Sequence, residues 1–274
     1  MKNFILGIGA QKSGTTWLHS YISASPAYRT GQVWEKEMHI WDVNEIPEQF
    51  GRRKSFFHLR RISHFYTWRM RRSADFYFDY FAKLLAEGGI TGDITPSYSG
   101  LSRETLVRIK DGITARGVDF KGVFLMRDPV ERCVSGFNMN RTRRLSGHKT
   151  AEDVSDIEDT DRAFIDYVES DHCKFRTCYE DVIDKIDGAF ADDEFFTALY
   201  EQMFDPGPLE ALSAFVGVDY APEMVTKKAN VAGKKYDLSD EVLIHCAQVY
   251  SGTYAAIAER YPASREVWAG RRFL

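Results

Sequence analysis

The start of the chain constrains the fold most. Asn3 to Ile8 is an unbroken apolar run, followed by Gly9-Ala10-Gln11-Lys12-Ser13-Gly14-Thr15-Thr16 and a helical pattern over Thr15 to Ser23. A six-residue apolar run is far too short to span a membrane and reads as a strand buried on both faces. A strand, a glycine turn and a helix in succession aim backbone N–H groups and a helix N-terminus at one point, where an anion is stabilised. Gly9 and Gly14 let backbone approach such an anion without side-chain clash. Lys12 adds a mobile positive charge, and Thr15 and Thr16 add hydroxyls at the helix start.

The rest of the pattern is that of an α/β domain with a central, mostly parallel sheet flanked by helices. Strands are expected at Ile90–Ile94 and Phe120–Met126, with a late one at Glu194–Tyr200. Helices are expected over Ser73–Ala86, Leu101–Arg116, from Pro129 onward, and over 160–171, 174–187, 206–216 and 239–260. Leu145–Asp159 reads as an acidic loop, and a second strand is expected before Lys36. No repeat, low-complexity tract or linker divides the chain, so residues 1–274 are read as a single domain. No segment approaches 18 uninterrupted apolar residues and the start lacks signal-peptide character, so the expectation is a cytoplasmic protein without a membrane span. Cys133, Cys173, Cys178 and Cys246 form no zinc pattern and are read as reduced thiols.

The net charge of −4 disfavours a general nucleic-acid binder. The charge is uneven, however. Arg52 to Arg72 holds eight Lys/Arg and no acid, whereas Glu152 to Glu201 holds 17 Asp/Glu against four Lys/Arg. The basic stretch, with Phe56, Phe57, Phe65, Tyr66 and Trp68 among its cations, suits an anionic or sugar-like partner; packing of a helical flap is the plainer explanation of each ring.

Gly9–Thr16 is nearly the nucleotide loop G-x-x-x-x-G-K-[ST], but position 15 is Thr where that motif needs Lys. Only Asp93 is a candidate for a magnesium-holding acid. The loop therefore suits an anion of lower charge than a triphosphate, with no metal. A second anion site is expected at Arg127, which follows the Phe120–Met126 strand, with Ser135 eight residues on in a helix opened by Asp128-Pro129. An Arg fork plus a hydroxyl suits a phosphate. In Lys36-Glu37-Met38-His39-Ile40-Trp41-Asp42, a carboxylate is placed to act as a base. Glu35 and Glu37 would point oppositely if that piece is extended.

These segments together resemble the sulfotransferases that use 3′-phosphoadenosine 5′-phosphosulfate (PAPS), in particular glycosaminoglycan (heparan sulfate)-type and bacterial ones. GAQKSGTTWL is similar to their 5′-phosphosulfate loop. The resemblance implies a P-loop-like three-layer fold, with Lys12 on the 5′-phosphate and bridging oxygen and Ser13, Gly14, Thr15, Thr16 and Trp17 around the phosphosulfate. Arg127 to Ser135 resembles R-D-P-x-x-R-x-x-S, which implies that Arg127 and Ser135 hold the 3′-phosphate. Lys36 to Asp42 resembles K-E-x-H-F-F-D, which implies Glu37 as catalytic base beside His39, with Asp42 on the acceptor. Thr91 to Tyr98 resembles E-K-T-P-x-Y, which places Thr95 and Tyr98 on the acceptor side, but Ile94 stands where the family has Lys. Lys227–Lys235 loosely matches a late basic loop that closes over the nucleotide, which implicates Lys234. The implied activity is transfer of a sulfuryl group from PAPS to a hydroxyl or amine of an acceptor, with a carbohydrate favoured, leaving 3′-phosphoadenosine 5′-phosphate (PAP). Two other readings are a P-loop kinase of a small metabolite and a non-catalytic PAP-binding module.

Overall fold

The structure is a computed structural model and describes residues 1–33, 36–46, 62–146, 160–226 and 238–274. Lys234, Glu35 and residues 52–61 of the basic stretch lie outside the described residues. Four strands, β1 (Lys2–Gly9), β2 (Gly89–Ile94), β3 (Asp119–Met126) and β4 (Phe195–Leu199), form one sheet in the order β2-β1-β3-β4. Every pairing is parallel. Helices flank the sheet on both faces, so the expected α/β layering is observed.

Period-two alternation sorts the strand residues between two cores. Phe4, Leu6 and Ile8 of β1 and Phe124 and Met126 of β3 enter one cluster, while Ile5, Val123 and Leu125 enter the other. The first face is covered by α4 (Ala74–Leu84), through Tyr77, Phe78 and Phe81, and by α5 (Arg103–Thr114), through Leu106, Ile109 and Ile113. The second is covered by α1 (Thr15–Ser23), through Trp17, Leu18, Tyr21 and Ile22, and by α10 (Pro206–Val216), through Leu209, Leu212 and Val216. Between α1 and α4 run α2 (Asp42–Glu45) and α3 (Ile62–Met70). After β3 come α6 (Pro129–Ser146), α7 (Thr160–Glu169), α8 (Asp171–Lys174) and α9 (Tyr179–Asp187).

Four local expectations are corrected. The helix expected over 239–260 is two helices, Asp240–Val249 and Ser251–Arg260, which meet at Tyr250. Tyr250 has ψ 19°, which leaves the helical basin, and its hydroxyl is tied to the Val168 carbonyl at 2.8 Å. The segment over 174–187 is likewise broken, with α8 ending before the Thr177–Cys178 turn and α9 starting at Tyr179. Where a second strand is expected before Lys36, the described residues show only an isolated parallel bridge between Tyr28 and Ile90. The first two residues of the loop expected over 145–159 are helical, because α6 runs to Ser146; the rest of that segment lies outside the described residues.

Candidate active site

In a parallel sheet the strands all end at one edge, and ligands bind where the strand order reverses. Here β1 is the reversal point, with β2 on one side and β3 on the other. A cleft of about 450 Å³ opens at this edge. The chain leaving each strand supplies wall residues: Gln11–Lys12 and Gly14–Trp17 after β1, Pro96 and Ser97 after β2, Arg127 after β3 and Tyr200 after β4.

The glycine loop is shaped by backbone that only small residues tolerate. Gly14 caps α1 in the left-handed region at φ 82°, and a Cβ there would come within 2.2 Å of the Tyr200 ring. Ala10 N–H donates to the Leu125 carbonyl at 2.7 Å, which ties the loop to the end of β3. Leu18 N–H, bonded to the Gly14 carbonyl, is the first amide used within α1. The amides of Thr15, Thr16 and Trp17 thus stand at the positive end of the helix beside the cleft. Ser13 departs from its expected place: its side chain is fully buried and its N–H donates to the Ala10 carbonyl. It shapes the loop from beneath instead of lining the cleft. Trp17 is mostly buried, stacked on Tyr21, and its Nε1–H lacks a hydrogen-bond partner among the described residues.

A second cation on this loop was missed in the sequence. Lys36 Nζ donates to Thr15 Oγ1 (3.2 Å), Thr16 Oγ1 (3.3 Å) and Glu37 Oε1 (2.8 Å). It therefore bridges the anion loop and the expected base. Its place beside Glu37 in K-E-x-H was the available signal. Ile94, the departure from the lysine pattern, packs in the second core at 2% exposure. Its N–H holds the Lys36 carbonyl at 3.1 Å, so position 94 supports the Lys36 backbone without offering a charge.

Glu37 and His39 line the cleft and form a chain of charge with Asp42. His39 Nε2 is 3.4 Å from Glu37 Oε2, and His39 Nδ1 is 2.6 Å from Asp42 Oδ2. Burial alone would raise the Glu37 pKa, but the His39 hydrogen bond and the Lys36 charge outweigh it and hold it at about 2. Burial alone would lower His39, but Asp42 and Glu37 raise it to about 9. At neutral pH the site thus holds a glutamate anion against an imidazolium.

Asp42, Thr95 and Tyr98, expected on the acceptor, are instead fully buried behind this segment. Asp42 takes hydrogen bonds from His39, Ser97 Oγ and Val43 N–H. Thr95 Oγ1 accepts from Met38 N–H at 3.0 Å and Tyr98 OH accepts from Ile40 N–H at 3.0 Å. Both hydroxyls donate to Asp93, at 2.6 and 2.8 Å. Asp93, the candidate magnesium ligand, is therefore a walled-in anchor; burial lifts its pKa to about 6, against the lowering effect of Thr95 and Tyr98. These residues fix Met38 and Ile40 from behind, which aims Glu37 and His39 forward. Among the described residues no cluster of three His, Cys, Asp or Glu side chains is placed to hold a metal.

On the β3 side, Arg127 and Ser135 both line the cleft. Arg127 is partnered: Nη2 meets Glu131 Oε2 at 3.0 Å and Nη1 donates to the Lys12 carbonyl at 3.3 Å. Asp128 caps α6 through the Glu131 N–H (3.1 Å) and is locked by Tyr254 OH and Gly270 N–H. Arg132 is fully buried and donates to Cys173 Sγ (2.9 Å) and Tyr167 OH (3.0 Å). All four cysteines are free; Cys133 and Cys173, with sulfurs 3.6 Å apart, are close neighbours across that arginine. The far wall contains Met139, Asn140, His172 and Arg176, none of which carried a sequence signal.

No helix among the described residues is long and apolar enough to cross a membrane. No protein-family model matches the chain, and no curated protein matches it. Solved structures do. The sulfotransferase domain of the curacin biosynthetic pathway aligns over 91% of this chain and 97% of its own, at 15% identity and a TM-score of 0.45. The sulfotransferase domain of the Synechococcus PCC 7002 olefin synthase aligns over 91% and 94%, at 16% identity and a TM-score of 0.46. A sulfotransferase from Alicyclobacillus acidocaldarius aligns over 98% of both chains, at 18% identity and a TM-score of 0.60. This chain has the α/β fold of that sulfotransferase along nearly its whole length.

Proposed function

We propose that the protein, a single domain, is a PAPS-dependent sulfotransferase that moves a sulfuryl group to a hydroxyl or amine of an acceptor of carbohydrate type. The observation that carries this reading is the meeting of three elements in one cleft: the glycine loop with Lys12, the Arg127–Ser135 pair, and Glu37–His39. The wall chemistry fits a nucleotide that carries an anionic group at each end. Lys12, Lys36, three amides of α1, two threonine hydroxyls and the unpartnered Trp17 Nε1–H are donors grouped at one end. Arg127 and Ser135 supply donors at the other.

In the reaction, the acceptor oxygen or nitrogen would bond to sulfur while the bond from sulfur to the 5′-phosphate oxygen breaks, that oxygen keeping the electron pair. Lys12 and the α1 amides would stabilise the charge growing on the leaving phosphate. Glu37 would take the acceptor proton. A carboxylate at about 2 is a weak base, and Lys36 is one reason for its weakness. An anion seated on Thr15 and Thr16 competes with Glu37 for the Lys36 ammonium, and a shift of that charge raises the basicity of Glu37. His39, fixed by Asp42, would orient Glu37 and the acceptor.

The test is transfer from labelled PAPS to a panel of acceptors, read by mass spectrometry, with the Lys12→Ala and Glu37→Gln variants alongside. The expected loss is about 10²–10³-fold for Lys12→Ala. Unchanged turnover in folded Glu37→Gln removes that residue from its role. Binding of PAP without any turnover leaves a non-catalytic binding module, and tighter binding of ATP with magnesium than of PAP favours a kinase.

A further inference from the structure

The reaction proposed above leaves Arg176 without a task. It follows α8, lines the cleft, and is only 3% exposed. Its Nη1 donates to the His172 carbonyl at 2.7 Å, and its guanidinium lies 3.9 Å from the centre of the Phe175 ring. These contacts hold the side chain in place but do not neutralise it. Among the described residues its Nε–H has no hydrogen-bond partner and no carboxylate is paired with it. A guanidinium withdrawn from water and left without an anion is unfavourable, a cost that an incoming anion would offset.

Its surroundings deepen the deficit. Burial and the nearby Arg132 charge lower the Arg176 pKa to about 10, which leaves it cationic at neutral pH. His172 is brought down to about 4 by burial and by the charges of Arg176 and Arg132, so its ring is neutral. Asp42, which backs His39, is close enough to act on Arg176 electrostatically. Arg176 and the Glu37–His39 pair line the same cleft. Beyond it a second cavity of about 500 Å³, walled in part by Phe137 and Tyr167, shares Asn140 and His172 with the cleft.

We propose that Arg176 binds a carboxylate, phosphate or sulfate group carried by the acceptor, so that the acceptor is itself an acid whose body extends into the second cavity. Calling the ligand an acceptor rests on the transferase reading; the anion site does not.

The experiment titrates matched pairs into the full protein, with and without saturating PAP: glucuronate and its methyl ester, 4-hydroxybenzoate and its methyl ester, glucose 6-phosphate and glucose. Calorimetry is expected to show at least one acid binding about tenfold or more tighter than its neutral partner, the usual gain from a charge-assisted hydrogen bond. In Arg176→Gln that preference is expected to fall to within about twofold, with PAP affinity unchanged. In the unmutated protein the Arg176 Nε–H resonance is expected to move on adding the acid and not the ester, which reads the site without any variant. The proposal is overturned if no acid outbinds its partner, if the preference survives in Arg176→Gln, or if the resonance stays put. It is also overturned if Arg176→Gln weakens PAP about tenfold, because Arg176 then serves the donor. Titration without nucleotide separates this failure from failure of the donor reading.

Discussion

The two walls of the cleft are built by different means. The sheet-edge wall is made of backbone: the Gly9–Thr16 loop, the start of α1 and the turn at Pro96 follow directly from the ends of parallel strands. Its arginine, Arg127, already has Glu131 as a partner at 3.0 Å. The opposite wall, from Met139 on α6 to Arg176 just after α8, is made of side chains, and its arginine, Arg176, has no carboxylate partner among the described residues. A backbone wall is fixed by the fold and suits a ligand part that never changes. A side-chain wall can vary without disturbing the sheet and suits the part that differs between substrates.

The sharpest way to break this comparison is the loop. Gly14→Ala puts a Cβ into the Tyr200 ring at a positive φ. It is expected to lower stability by about 1–3 kcal/mol and to abolish measurable PAP binding, seen as a lost thermal shift. Unchanged PAP affinity would mean that the loop does not hold the nucleotide. Next is Arg127→Ala, expected to weaken PAP about tenfold to a hundredfold by calorimetry. An effect on acceptor affinity instead would place Arg127 on the wrong wall.

Lys36→Met tests the link between the glycine-loop wall and Glu37. With the cation gone, the Glu37 pKa is expected to rise from about 2 toward the ordinary carboxylate range. Glutamate must be ionised to act as a base, so activity falls as pH drops through its pKa. The acid limb of the pH–rate profile should therefore move to higher pH in Lys36→Met. A limb that stays in place would exclude Glu37 as the group it reports.

The smallest effect is on stability. His39 is raised to about 9 in the folded protein. It binds its proton more tightly folded than unfolded, so its contribution is complete below about pH 6.5 and is lost as pH rises toward 9. Screening at the exposed edge of the ring holds the loss to about 1–2 kcal/mol, measurable as a lower urea midpoint at pH 9 than at pH 6.5. Glu37 works at the other end, its contribution present above about 4.5 and lost as pH falls toward 2. Asp42→Asn should lower the His39 pKa in an imidazole NMR titration; an unshifted value would detach Asp42 from the charge chain.

The sequence by itself determined the strand–loop–helix start, the parallel α/β layering and the grouping of Lys12, Arg127, Ser135, Glu37 and His39, because short-range patterns encode each piece and parallel strands must end at one edge. Asp128, which caps α6 through the Glu131 N–H, was legible for the same reason, whereas Ser73, expected within the helix, instead caps α4 through the Phe76 N–H. Only the tertiary structure decided that Asp42, Thr95 and Tyr98 stand behind the site, that Lys36 reaches across to Thr15 and Thr16, and that Arg176 arrives on the far wall. Those outcomes depend on which way a side chain turns and on what lies 20 to 60 residues away along the chain, or farther. A buried cation is defined by the missing neighbour, and no local pattern of residues records a neighbour that is missing.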